Sequence, residues 1–222
     1  MDPGKVDRNK RILLVAETLR LSNAARLATL GKALHGAGYH VVLAADPRCT
    51  ALVGDLPFRI IPIRSALSHE EITQRWRALM PLFDVATMER YVREDVRLMR
   101  TVMPDLVIGD MRPSLPISAR SQGVRFAVVT DATFSDKCTL PFALPQVPLA
   151  DFIGHEPAQT IFDVVVPIGL FVHAVPVNLT RLNHVLGGWH QDVRQTYTDA
   201  DLVIYPNIPD IVPMAELPPT HR

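Results

Sequence analysis

From Arg11 to Thr130 the chain alternates between short apolar runs and longer stretches with helical spacing. Arg11-Ile-Leu-Leu-Val-Ala-Glu17 is a continuous apolar run bounded by charge, the pattern of a central parallel strand buried on both faces. Ser22 or Asn23 can cap the helix that follows, whose Leu27, Leu30 and Leu34 share one face and which Gly36 and Gly38 can end. His40-Val-Val-Leu-Ala-Ala-Asp46 predicts a second strand. Arg59-Ile-Ile-Pro-Ile63 predicts a third, at an edge, because Pro62 cannot donate to a ladder. Ser68 to Met103 reads as helix with a break at Pro81. In its second part Val85, Met88, Val92, Val96, Met99 and Met103 recur every three or four residues and predict a buried face, with Glu89/Arg93 and Arg90/Glu94 pairing across the solvated side. Asp105-Leu-Val-Ile-Gly-Asp110 is a fourth strand, Ser114 to Gln122 a short helix, Arg125 to Thr130 a fifth strand and Asp201-Leu-Val-Ile-Tyr205 a sixth. The alternation predicts an α/β fold: a Rossmann-like, doubly wound parallel sheet with helices on both faces and right-handed crossovers.

The pattern changes between Cys138 and Thr180, which hold three acidic residues, no Lys or Arg, and six prolines. Such a segment is too apolar for a solvated linker and too often interrupted by proline for one long helix, so it is expected to pack on the domain, line a groove, or both. Its most apolar stretch, Val164 to Val177, falls short of the roughly 18 uncharged residues of a membrane span and contains Pro167, His173 and Pro176. Pro206 to Arg222 has linker character. The division expected is one domain over 1–205, with 138–180 as its variable region, and a linker beginning over 206–222.

Composition narrows the partners. With 222 residues, 48% of them hydrophobic and 21% charged, the chain suits one globular domain. Basic and acidic residues number 23 each, so no field draws it to nucleic acid. Cys49 and Cys138 stand in no metal-ligand spacing and no secretory leader pattern is present, which points to a reduced, cytoplasmic setting.

In an open parallel sheet the ligand crevice lies at the carboxyl ends of the strands, where the strand order reverses; for the order 3-2-1-4-5 that is between strands one and four. Asp110, at the end of strand four, is the foremost candidate, since a carboxylate there can bond a hydroxyl or act as a base. Glu17, at the end of strand one, is a weaker one and can instead pair with Arg20 or Arg26. Ser22, Asn23 and Arg112 in the flanking loops, and Asp131, Thr133 and Phe134 after strand five, are candidates for lining the crevice. The loop Glu17 to Arg26 has no glycine, which argues against a dinucleotide site, and Asp46 is read as capping the turn at Pro47. P-loop, nucleophile-elbow and zincin motifs do not occur. His35 and His40 read as surface residues, whereas His155, His173, His184 and His190 lie on the segment that can fold over the crevice.

The order of segments resembles a known family. Arg11-Ile-Leu-Leu-Val, the helix end and strand from Leu34 to Ala44, Arg59-Ile-Ile-Pro-Ile, Pro104-Asp-Leu-Val-Ile-Gly-Asp110 and Gly123-Val-Arg-Phe-Ala-Val-Val-Thr130 resemble the N-terminal domain of GT-B nucleotide-sugar glycosyltransferases, in the UDP-glucuronosyl/glucosyltransferase branch. The resemblance implies an acceptor-binding half of an inverting, metal-independent hexosyltransferase, inactive without a C-terminal donor domain supplied in cis or as a separate subunit. It implies no cofactor here, the nucleotide sugar sitting on that second domain. Asp110 matches the family acid that supports a catalytic histidine in the loop after strand one. Thr18 to Ala25 contain no histidine, so the dyad is incomplete: Asp110 or Glu17 is the base directly, a histidine comes from elsewhere, or the chemistry differs. The region 138–180 matches the variable acceptor region, and its cation-free composition suggests a small hydrophobic acceptor such as a polyketide, terpenoid or lipid alcohol, with peripheral membrane contact allowed. A non-catalytic binding module of this fold and half of a sugar-nucleotide epimerase are the alternatives.

Overall fold

The computed structural model describes residues 9–17, 21–65, 67–68, 70–71, 74–75, 80–144 and 148–222. Six parallel strands form one sheet in the order β3-β2-β1-β4-β5-β6, comprising β1 (Arg11–Ala16), β2 (His40–Ala45), β3 (Arg59–Pro62), β4 (Leu106–Asp110), β5 (Arg125–Val129) and β6 (Leu202–Ile204). The edge position expected for β3 is observed, and the order reverses between β1 and β4.

Alternate residues of β1 feed opposite layers. Leu13 and Val15 pack with Leu98, Met99 and Val102 of α3 (Val85–Val102) and with Leu115 and Ala119 of α4 (Leu115–Ser121). Ile12 and Leu14 pack with Ala24, Leu27 and Ala28 of α1 (Leu21–Gly36). Helices therefore cover both faces, and the apolar strands have no polar side, as a doubly wound sheet requires. Asp46 accepts from the Arg48 amide and caps the one-turn α2 (Pro47–Thr50), as expected.

Several expectations fail locally. α1 begins at Leu21, so Ser22 and Asn23 lie inside its first turn rather than at its cap. α3 begins after Asp84, whose carboxylate accepts from the Thr87 amide at 2.7 Å; the helical reading of residues 69, 72–73 and 76–79 lies outside the described residues. Met88, Val92 and Met99 are buried as expected, but Met103 is 60% exposed because it adopts the left-handed conformation that ends the helix. Glu89 and Glu94 do not turn to their helix neighbours. Glu89 accepts from Asn183 and meets His184, each at 3.0 Å, and Glu94 accepts from Arg112 at 2.7 Å.

The largest correction concerns the proline-rich region. After α5 (Pro148–Ile153), residues His155–Asn183 form one 29-residue helix, α6, running through Pro167 and Pro176. Each proline removes one backbone hydrogen bond, and the apolar turns around it keep theirs, so two isolated prolines do not end the helix. Length and composition would let α6 cross a membrane: its most apolar 18-residue stretch has a mean hydropathy of 1.9 and is 17% buried. The tail is docked and does not behave as a free linker. Val203 donates to Thr220, Arg222 to Val203 and Tyr205 to Arg222 along the edge of β6, and Cys138 bridges to Met214.

Candidate functional site

The reversal point holds two buried carboxylates, Glu17 and Asp110, joined through the backbone by the Glu17 amide donating to the Asp110 carbonyl at 2.9 Å. Their surroundings differ. Asp110 receives a two-pronged bond from Arg26 of α1, Nε to Oδ2 at 2.7 Å and Nη2 to Oδ1 at 3.1 Å. Burial pushes the Asp110 carboxyl up to about 6 despite that guanidinium, helped by the negative charge of Asp131. Arg26, with its side chain 24% exposed, covers the fully buried Asp110. Sequence reasoning weighed Arg26 only as a partner for Glu17; the 3.6-residue period, which puts Arg26 one turn beyond Ser22, is the signal that could have aimed it at the crevice.

Glu17 faces inward. Its Oε2 accepts from Arg112 Nη1 at 3.0 Å, and both side chains are fully buried. Arg112 also donates from Nε to Asp95 at 3.1 Å and from Nη2 to Glu94, and its guanidinium lies 3.6 Å from the centre of the Tyr91 ring. Asp95 in turn accepts from Ser114 at 2.5 Å and Ser118 at 3.3 Å. Burial raises both the Glu17 and Asp95 carboxyls against the opposing charge of Arg112. This cluster ties the end of β1 to α3 and the start of α4. Arg112 is thus an internal strut and not a crevice-lining group, and Glu17 is part of the same strut.

Across the crevice Asp131 accepts from the Thr133 amide at 3.0 Å and hydroxyl at 2.8 Å, starting a 3-10 turn over Ala132–Phe134. Asn207 Nδ2 reaches Asp131 at 3.3 Å while its Oδ1 accepts from the Ala132 amide at 2.7 Å. These bonds and Arg26 hold the Asp131 carboxyl below its usual range although burial opposes them. Ser22 and Thr133 are exposed, Phe134 half-buried, and Asn23 is buried with its amide donating to the Glu17 carbonyl at 2.8 Å. The site therefore gathers Arg26, Asp110 and Asp131, with Thr133 bonded to Asp131 at its rim, while Ser22 is exposed in the first turn of α1, one turn before Arg26. Asn23 and Arg112 serve its frame.

The candidate histidines lie elsewhere. His173 accepts from the Leu82 amide, His184 meets Glu89, and His190 contacts Thr196 and Asp199. His155 is exposed at the start of α6, and His35 and His40 are surface residues as expected. Among the described residues, Asp110 is held by an arginine and by no histidine.

No family model matches the chain. An inactive PGL/p-HBAD biosynthesis glycosyltransferase of Mycobacterium bovis is 32% identical over 220 residues, 99% of this chain and 60% of that protein. A PGL/p-HBAD biosynthesis glycosyltransferase of Mycobacterium tuberculosis is also 32% identical, this chain covering 51% of it. A PGL/p-HBAD biosynthesis rhamnosyltransferase of Mycobacterium bovis is 31% identical over 223 residues, 49% of its length. The chain thus spans about half to three-fifths of these relatives. Among solved structures, the glycosyltransferase VinC in complex with dTDP superposes with a TM-score of 0.54 at 15% identity, covering 95% of this chain and 52% of that one. The spinosyn rhamnosyltransferase SpnG with thymidine diphosphate gives 0.52 at 14% identity, covering 95% and 48%.

Proposed function

We propose that this chain, which has the fold of GT-B glycosyltransferases and is 31–32% identical to PGL/p-HBAD biosynthesis glycosyltransferases, is the acceptor-binding half of a nucleotide-sugar-dependent hexosyltransferase acting in the cytoplasm, the donor sugar being held by a second domain. The acceptor is a small hydrophobic molecule bearing a hydroxyl, a reading supported by the apolar, cation-free region 138–180. The observation that carries this reading is Asp110: a buried carboxyl at the reversal of the sheet, poised at about 6 and gripped by Arg26. A carboxylate has lone pairs to spare beyond the two bonds from Arg26. Once the Arg26 side chain swings aside, Asp110 takes the proton of the acceptor hydroxyl as its oxygen attacks the anomeric carbon. The nucleoside diphosphate leaves from the opposite face, which inverts the centre without a metal. Asp131 holds Arg26 electrostatically from the other side of the crevice, and Ser22 and Thr133 offer hydroxyls to the acceptor.

One observation favours a second reading. Asp110 is fully buried beneath Arg26, and a guanidinium cannot serve as a base, so the same crevice suits a non-catalytic module that presents a ligand to a partner. Transfer measured with a C-terminal donor half supplied separates the two. Under the catalytic reading Asp110→Asn lowers the rate by about 10²–10⁴-fold, the share of a positioned base. An Asp110→Asn chain as active as the parent rejects Asp110 as the base, and absence of transfer by the parent with every donor half tried favours the second reading.

A further inference from the structure

α6 carries a surface that the crevice does not use. At 100° per residue, Ile161, Val164, Ile168, Phe171, Leu179 and Leu182 fall within an arc of about 80°. These six are exposed. Every residue of that arc from Pro157 to Leu182 is apolar, Pro157 and Val175 completing it. The buried positions Ala158, Ala174, Val177, Thr180 and Arg181 lie on the remaining faces. From Ile161 to Leu182 the stripe runs about 32 Å at 1.5 Å per residue.

We propose that this face of α6 seats in the outer hydrocarbon margin of a lipid bilayer, the domain lying on the membrane surface. A transient protein partner is an inferior fit, because non-obligate protein interfaces are about as polar as ordinary surface and carry a hydrogen bond for every 100–200 Å² or so. A stripe this long with no polar side chain offers such a partner nothing to bond. Exposed aromatic residues stand just beyond both ends of the helix, Phe152 at 86% and Trp189 at 48% exposure, where aromatic side chains favour the lipid–water boundary. Spanning is excluded by tethers along the length of α6. Gln159 bonds the Phe142 carbonyl and the Leu144 amide, His173 the Leu82 amide, and Arg181 Asp199, so α6 is held along the domain. The region 138–180 has no Lys or Arg, so attachment comes from apolar burial and not from attraction to anionic headgroups.

The test is flotation of the full chain with phosphatidylcholine vesicles and with vesicles doped with phosphatidylglycerol, at low and high salt. The parent chain floats equally with both and at both salt levels. The triple variant Val164→Glu/Ile168→Glu/Phe171→Glu, whose positions are exposed and whose circular dichroism and melting match the parent, partitions at least tenfold less. A parent that stays at the bottom, a triple variant that floats as well as the parent, or binding that needs phosphatidylglycerol and fails in high salt overturns the proposal. So does a parent dimer that the triple variant dissolves without any vesicle binding, which assigns the face to a second copy. Flotation reads α6 and sugar transfer reads Asp110, so either can fail without the other.

Discussion

Replacing Arg112 by alanine removes the cation that Glu17, Glu94 and Asp95 share. Glu17 and Asp95 are fully buried, so neither can turn to water when its partner is lost. Breaking a buried ion pair from one side costs about 3–5 kcal/mol. That is a large share of the roughly 5–15 kcal/mol by which domains are stable. For a chain of this size it lowers the melting temperature by about 6–20 °C. The loss has a pH signature that packing alone does not give. Both carboxyls sit above their ordinary range even beside Arg112, because burial outweighs its charge. Without the guanidinium they rise further. A carboxyl whose folded pKa is raised binds more protons folded than unfolded, so the fold loses stability as pH climbs from about 4, the unfolded value, to the raised one. The Arg112→Ala deficit is therefore larger at pH 8 than at pH 5. Thermal or urea unfolding of the two chains at both values measures it. In an Arg112→Met background, Glu17→Gln with Asp95→Asn recovers much of the loss, since amides carry no stranded charge. An equal deficit at pH 5 and pH 8, or one under about 1 kcal/mol, refutes the electrostatic account.

Two further substitutions probe the site and the long helix. Asp110→Asn removes a carboxyl whose folded pKa, about 6, lies well above its ordinary 3.8. The sign is the same as above: the parent loses stability as pH rises from 4 to 6, so the variant's advantage grows over that window, levels off above it, and approaches about 3 kcal/mol before any cost of the unpaired Arg26. Urea unfolding at pH 4.5 and 7.5 checks this, and an Asn variant less stable than the parent at pH 7.5 rejects it. Val185 closes α6 in the left-handed region at φ 56° while 92% exposed, with the Leu186 amide bonded to the Arg181 carbonyl at 2.9 Å. A β-branched residue is strained there and its side chain packs on little, so Val185→Gly stabilises the chain by up to about 1 kcal/mol in a melting experiment; a drop in melting temperature counts against it.

The sheet was readable because its strands are apolar on both faces and bounded by charge. β1, β2, β4 and β5 needed no tertiary information, and Pro62 alone identified the edge. The reversal point followed from the strand order, and with it Asp110. What could not be read was partner choice. Glu89 and Glu94 sit at i,i+4 from arginines, yet Asn183, His184 and Arg112 take them, because packing α3 between the sheet and α6 brings distant donors closer than the helix neighbours. Nor does local proline content decide a helix whose remaining turns are apolar and whose second half is clamped by Arg181 to Asp199 and by Asn178 to His190.

Glu17 and Asp110 show most plainly why a position does not fix a role. Both end neighbouring central strands, both are fully buried, and burial raises both. What separates them is the guanidinium each one meets. Arg112 is itself fully buried and shared among three carboxylates, so Glu17 is locked into a strut that cannot open without unfolding the start of α4. Arg26 is partly exposed, rises from the first turns of α1, and besides Asp110 meets the Asn23 side chain and the charge of Asp131. Its side chain can leave into water, where a guanidinium is well solvated, and the departure of that cation removes the charge that holds the Asp110 carboxyl down against burial. A buried carboxylate closed off by a movable cation can be exposed when an acceptor arrives; one closed off by a buried cation cannot. On this ground we assign the proposed proton transfer to Asp110, and to Glu17 the task of keeping its strand end in place.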